Sequence, residues 1–358
     1  MNILENTTGR VYKLWKSLNS RNRMRNYREK DWSQMQHIDV PTLTKEELHQ
    51  LKVTWPFLVF DRNDLYWARL YKKELGFNPY YLGSSNHCYD LRQRINPVKQ
   101  IQALSNKAMT DVYYSGIPFP EVYVRCLNGS LYDREMSPLS LDEAARILEQ
   151  KQSFVIKPAV SSCGEGVRMH VIPDDRRAMS AWLSDVFSSS TDNFIVQEVV
   201  RQHPDIVRLN PSSLNCCRIT SVYVRGKYVQ AAMLKVGKAG STVDNWHSSY
   251  LVGILPDGRL KEKGWNYSLQ SVYETDGGIP FAGQKVPFFD DILTSVESYH
   301  KRFIPQCGIV GWDVTVDQLG HPVVIEANLV IPGILGEQLC SGPFLKEVRD
   351  EICHIFGY

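Results

Sequence analysis

The stretch from Ser153 to Ile172, Ser-Phe-Val-Ile-Lys-Pro-Ala-Val-Ser-Ser-Cys-Gly-Glu-Gly-Val-Arg-Met-His-Val-Ile, constrains the fold more than any other part of the chain. Apolar and β-branched residues on both sides of a small-residue loop predict two strands joined by a hairpin. Within Ser161 to Gly166, two glycines and two serines let backbone N–H groups turn toward one point, where an anion such as phosphate would satisfy them. Lys157 closes the first strand and can bring a positive charge to the same anion. An ordinary hairpin with a flexible tip fits these residues too. The loop lacks the Gly-Lys-Ser/Thr ending of a P-loop, and Gly164-Glu165-Gly166 precedes a strand-like run where a dinucleotide fingerprint needs a helix.

Around this segment the chain alternates helix and strand. Leu141 to Gln150 is predicted as a helix capped by Ser140, Ala178 to Phe187 as the next helix, and Asn193 to Val200 as the strand after it. From Cys216 the pattern turns to hairpins. Arg218 to Val224 and Tyr228 to Val236 flank the turn Arg225-Gly226-Lys227, and Ile309 to Val316 and Pro322 to Ala327 form a last pair after a helix from Pro287 to Ile304. Nearer the start, Thr44 and Glu47 make a capping box, while 54–104 reads as mixed helix and strand. His87-Cys88-Tyr89-Asp90-Leu91 has the wrong spacing for a kinase catalytic loop. The expected class is α+β, with units at 1–40, 41–105, 106–200 and 201–358.

Composition narrows the function. Hydrophobic content of 43% and charged content of 22% are those of a globular protein, and no apolar run reaches the ~18–20 residues that span a bilayer. The expected location is cytoplasmic, and the eight cysteines, without Cys-x-x-Cys spacing, read as reduced core thiols. From Arg10 to Lys30 there are eight Lys or Arg and one acidic residue, with Val11, Leu14, Trp15 and Leu18 on one helical face. Such a helix suits peripheral contact with the inner membrane surface or packing on its own domain. Nucleic acid is excluded as a partner, because the tract is short and the whole chain carries only +2.

Asp313 lies in the first strand of the last hairpin, and Glu326 and Asn328 end the second. Two residues apart on a strand, Glu326 and Asn328 point to one face, and Asp313 can lie across from them. Two carboxylates and an amide oxygen suit Mg²⁺, or Mn²⁺ in its place, although a solvated sheet end has the same composition.

Taken in order, Lys107, Lys157 with its loop, Gln197-Glu198-Val199-Val200, Arg218, Asp313 and Glu326-x-Asn328 resemble the ATP-grasp superfamily, from about Asn106 to Glu337. Arg218 to Lys235 and Glu326-Ala-Asn-Leu-Val-Ile-Pro-Gly333 are similar to strands of ribosomal-protein glutamate ligases. Leu214-Asn215-x-x-Arg218 and Asp244-Asn245 resemble the sugar-transfer-associated ATP-grasp proteins, a group linked to surface-polysaccharide assembly. The resemblance implies two α+β subdomains clasping ATP, behind an N-terminal helical or mixed extension.

It also implies roles. Lys107 and Lys157 would touch the nucleotide phosphates, and Ser161, Ser162, Gly164 and Gly166 would form the flap over them. The backbone of Gln197, Glu198 and Val200 would read adenine, and Asp205 would meet the ribose. Asp313, Glu326 and Asn328 would hold the metal, while Arg218 and Lys235 would face the transferred phosphate. The implied activity is an ATP-dependent carboxylate–amine ligase with small, sugar-linked substrates. The alternatives are a kinase on the same scaffold or a non-catalytic nucleotide-binding scaffold. Two departures stand out: Gly311 occupies the place of an arginine that many such ligases carry two residues before the metal aspartate, and Ser248-Ser249 replaces a glycine pair.

Overall fold

From Cys216 onward alternate residues face opposite environments, and the chain forms a seven-stranded sheet. The computed structural model describes residues 38–84, 91–97, 99–161, 165–172, 179–188, 193–241 and 246–358. The strands are β7 (Cys216–Val224), β8 (Lys227–Gly237), β9 (Ser249–Ile254), β10 (Leu260–Trp265), β11 (Ser271–Val272), β12 (Ile309–Val316) and β13 (Pro322–Asn328). Their order is β11-β10-β9-β8-β7-β12-β13, each neighbour pair antiparallel. One face carries Ile219, Leu234, Val252, Val310, Trp312 and Val314, buried in the largest core. Ile292 and Val296 of the helix Phe289–Phe303 close that core. The opposite face carries Arg218, Lys235, Asp313 and Glu326.

The earlier part of the chain forms a second sheet. Its strands are β1 (Val122–Leu127), β2 (Ser130–Tyr132), β3 (Pro138–Leu139), β4 (Ser153–Pro158), β5 (Arg168–Val171) and β6 (Phe194–Gln197), in the order β3-β2-β1-β6-β4-β5. Helices Leu141–Glu149 and Met179–Ser188 flank β4 and β5 in sequence, and Ala144, Leu148 and Leu183 seal one sheet face against Phe154 and Ile156. Ser140 caps the first of these helices through a capping box with Glu143. The opposite face meets the 3-10 turn Lys107–Met109, where Ala108, Val122, Ala159 and Ile195 pack together. β4 and β5 pair as the expected hairpin, but the Asn193–Val200 strand shortens to Phe194–Gln197.

Residues 38–105 add helices only, so among the described residues the mixed reading of 54–104 gives way to helix. Helix α1 (Lys45–Thr54) has the Thr44 capping box, and α2 (Arg62–Leu75) has a second one through Asp61 and Asp64. Tyr66, Trp67, Leu70 and Tyr71 are spaced to share one side of α2, and they pack on Met233, Leu251, Trp265 and Leu339. This segment therefore docks on the seven-stranded sheet. No described helix is long and apolar enough to cross a membrane. Among the described cysteines, Cys216, Cys217, Cys307, Cys340 and Cys353 are buried, as expected of core thiols. The basic stretch from Arg10 to Lys30 lies outside the described residues, as do Ser162, Gly164, Asp244 and Asn245.

Candidate functional site

Register builds the centre of the site. Asp313 on β12 stands directly opposite Arg218 on β7 and Glu326 on β13, so three charged residues form one row across three strands. A bulge after Asp313 shifts the pairing by one residue, and Asn328 falls opposite Gly311. Arg218 donates to both carboxylate oxygens of Asp313, Nε to Oδ1 at 2.8 Å and Nη2 to Oδ2 at 3.0 Å. Lys235 Nζ lies 2.9 Å from Oδ1, and Asn328 Nδ2 donates to Oδ2 at 3.1 Å. Burial alone would raise the Asp313 pKa, but the adjacent Arg218 and Lys235 charges outweigh it and hold the carboxyl down at about 2. Burial likewise works against the Arg218 charge, and the Asp313 and Glu337 carboxylates raise its pKa in spite of it.

Gly311 now has a physical reason. A Cβ on it would sit 2.1 Å from the Pro332 carbonyl oxygen, so no side chain fits two residues before Asp313. The same oxygen accepts from Arg218 Nη1 at 3.2 Å. The arginine on β7 thus projects to where the crossing Pro332-Gly333 backbone excludes one from β12. Glu337, which sequence reasoning did not single out, is buried beneath this crossing and accepts from Thr220 Oγ1 at 2.8 Å. Burial raises its pKa, opposed by the nearby Arg218 charge.

The second cluster comes from the other sheet. Asn106 Oδ1 accepts from the Ala108 N–H at 3.0 Å and shapes the turn that presents Lys107. The Lys107 backbone N–H donates to Ala159 O at 2.8 Å, at the end of β4. Lys107 Nζ donates to Ser161 O at 2.6 Å and lies 3.2 Å from Glu326 Oε1. Lys157 lies on β4 opposite Ile195, and Gly166 adopts φ +74°, where an added Cβ would meet the Pro158 ring at 2.7 Å.

Gln197 ends β6, and the Glu198 N–H donates to Glu121 O at 2.9 Å. A cavity of about 560 Å³ borders the end of this strand and is lined by Glu198, Val199, Val200 and Arg201 together with Asp317 and Leu319. Asp205 stands apart. It is on the short helix Pro204–Val207, beside His203 and Arg208, and no described contact joins it to the two clusters. Asn215, quoted in the sequence motif, is a structural hub: its Nδ2 donates to Ile206 O and Asn210 O, its Oδ1 accepts from Gly237 N, and its backbone binds Gln202. Gln202 also donates to Thr315. This buried set ties the segment after β6 to the start of β7. At the other departure, Ser248 O accepts the Lys238 N–H at 2.8 Å, and Ser249 is buried in β9.

The donor types suit a hard divalent cation, namely the Glu326 and Asp313 carboxylates and the Asn328 Oδ1 that is not used toward Asp313. Among the described residues no three His, Cys, Asp or Glu side chains form a metal cluster. Asp313 already receives four N–H contacts, which makes Glu326 and Asn328 the members best placed to take an ion first.

A family model described as sugar-transfer associated ATP-grasp matches residues 86–354. No curated protein matches the chain. Among solved structures, D-alanyl-alanine synthetase A from Vibrio cholerae O1 biovar eltor str. N16961 is similar at 13% identity and TM-score 0.41, over 72% of this chain and 66% of that one. D-Alanine-D-alanine ligase from Helicobacter pylori is similar at 13% identity and TM-score 0.39, over 70% and 61%. The biotin carboxylase domain of the Hydrogenobacter thermophilus 2-oxoglutarate carboxylase is similar at 11% identity and TM-score 0.43, over 73% and 47%. The chain thus spans less than two thirds of each of these chains, and nothing about substrates follows from them.

Proposed function

The chain belongs to the sugar-transfer associated ATP-grasp family, and on that premise we propose that it is an ATP-dependent ligase joining a small carboxylate to an amine, one of them sugar-linked. The observation that carries the proposal is the row Arg218, Asp313, Glu326, with Lys235 beside it and Lys107 reaching in from the other sheet.

A carboxylate and an ammonium do not condense at neutral pH, so ATP is consumed as a substrate. Transfer of its γ-phosphoryl group to a carboxylate oxygen gives ADP and an acyl phosphate. The neutral amine then attacks the acyl carbon, the bond to the phosphate oxygen breaks, and a proton leaves the nitrogen as the amide forms. Catalysis of such transfers is mostly positioning and electrostatics. Arg218 is half-buried and held by fixed partners, so its charge would meet the growing charge on the acyl oxygen with little reorganisation. Lys235 would share that task. Lys107, Lys157, Ser161, Ser162, Gly164 and Gly166 would surround the phosphates, and the Gln197 to Val200 backbone would border adenine. Glu326 and Asn328, with Asp313, would hold Mg²⁺ or Mn²⁺, which when bound would neutralise charge on the phosphates.

The dependence on ATP fits a cytoplasmic protein, and the basic N-terminal segment would give peripheral contact with the inner membrane surface. The test is ADP release by purified protein against pooled carboxylates and amines, with mass spectrometry of the products. Hydroxylamine added during turnover should trap the acyl phosphate as a hydroxamate. A stable phosphorylated product without hydroxamate would instead make the protein a kinase.

A further inference from the structure

Arg125 is an arginine in the middle of an apolar strand, and its side chain is 0% exposed. All five of its N–H donors are used. Nε donates to Asp133 O at 3.3 Å, Nη1 to Ala108 O at 2.6 Å and Asp111 Oδ1 at 3.0 Å, and Nη2 to Asp111 Oδ2 at 2.8 Å and Arg134 O at 3.1 Å. No donor remains for a ligand. The guanidinium therefore ties three segments together: its own strand β1, the turn between β2 and β3, and the stretch from Ala108 to Asp111 that continues directly from Lys107.

Its place in the sheet links it to the site. Arg125 and Lys157 both stand directly opposite Ile195, on the two sides of β6, so the three share one row and one face. The Lys107 turn packs on that face through Ala108. Hydrophobic residues of similar volume often replace a buried ion pair without loss of stability, so filling space does not explain five directed bonds at this point. Their common effect is to fix a short turn, held otherwise by the Asn106 cap and the Lys107 N–H to Ala159, at a set height above Lys157.

We propose that Arg125, through its fork on Asp111 and its bond to Ala108 O, is a positioning residue that sets the spacing of Lys107 from Lys157 for nucleotide phosphates. The inference rests on the nucleotide role proposed above for Lys107. Arg125→Lys keeps the charge but loses the fork, and Asp111→Asn removes one arm of it.

The measurement is calorimetric affinity of the full chain for ATP with Mg²⁺, in the wild-type background and with Lys107→Met, alongside circular dichroism. Each variant should weaken binding about tenfold in the wild-type background, on the scale of coupling within one hydrogen-bond network, and less than about twofold with Lys107→Met. Equal losses in both backgrounds, or no loss in the first, would overturn the positioning role. A Lys107→Met protein that binds ATP as well as wild type would remove the role of Lys107 itself, and the inference with it. If Arg125→Lys does not fold, Asp111→Asn decides; if neither folds, Arg125 is a folding residue and the proposal fails.

Discussion

Lys107 Nζ and Glu326 Oε1 lie 3.2 Å apart, so an ion pair joins the turn beneath one sheet to the last strand of the other. The lysine proposed for phosphate and the carboxylate proposed for metal thus neutralise each other in the absence of ligands. In Glu326→Gln, metal-free ATP should bind roughly two- to fivefold more tightly than to wild type, the scale of releasing a partly exposed pair. Addition of Mg²⁺ should then improve binding less than it does in wild type. Calorimetry in EDTA and in Mg²⁺ reads both effects, and unchanged metal-free affinity would argue that Lys107 is not held back by Glu326. Turnover by the same variant should be lost, because the proposed metal site loses a charge.

Arg218→Met should lower turnover by about 10²–10³, the usual scale for losing a donor aimed at developing charge. ATP affinity should fall much less. Breaking a buried pair also costs about 3–5 kcal/mol, so urea denaturation should show a clear loss of stability. A variant with normal ADP release would reduce Arg218 to a strand residue.

Gly311→Ala should destabilise by about 1–3 kcal/mol, as overpacking does, since its Cβ would press on the Pro332 carbonyl. Because that carbonyl also accepts from Arg218, ADP release should fall with stability. A variant with wild-type Tm would mean that the crossing backbone gives way easily.

His300 gives a pH signature away from the site. It is fully buried between Ser221 Oγ at 2.7 Å and Cys307 O at 2.6 Å, and burial pushes its pKa down to about 4 from 6.5. A lowered folded-state value means that the unfolded chain binds the proton more readily. Stability is therefore intact above pH 6.5 and falls between 6.5 and about 4, by roughly 1.4 kcal/mol per unit at most. Urea denaturation across that window should show the slope, and His300→Gln should remove it. An identical slope in the variant would assign the effect to other groups.

Much of this arrangement was legible in the residues. The β-branched run Ile309 to Val316 has the predicted limits, Thr44 caps its helix as its spacing to Glu47 indicated, and Ser140 is the cap expected of it. The convergence of Asp313, Glu326 and Asn328 also followed from strand alternation. The bulge after Asp313 did not, because an extra residue in one strand leaves no compositional mark. Nor did the cover over Asp313, which depends on a lysine and an arginine from strands about 80 and 95 residues away. The aromatic side of α2 was obscured because the sheet it packs on lies far along the chain. Arg125 did carry a signal: an arginine inside Val-Tyr-Val-Arg-Cys-Leu is rarely buried without a partner, and Asp111 was close at hand.

Strand order has a consequence for assembly in time. β7 to β11 follow one another in sequence and pair as a meander, whereas β12 must find β7 across the whole intervening chain. Closing that long loop carries the larger entropic cost, so the meander should form first and the β7–β12 seam late. The row Arg218, Asp313, Glu326 lies on that seam and the hairpin that follows it. Binding competence should therefore appear in refolding only with the final slow phase, and a chain emerging from synthesis should gain it after β13 has left the ribosome.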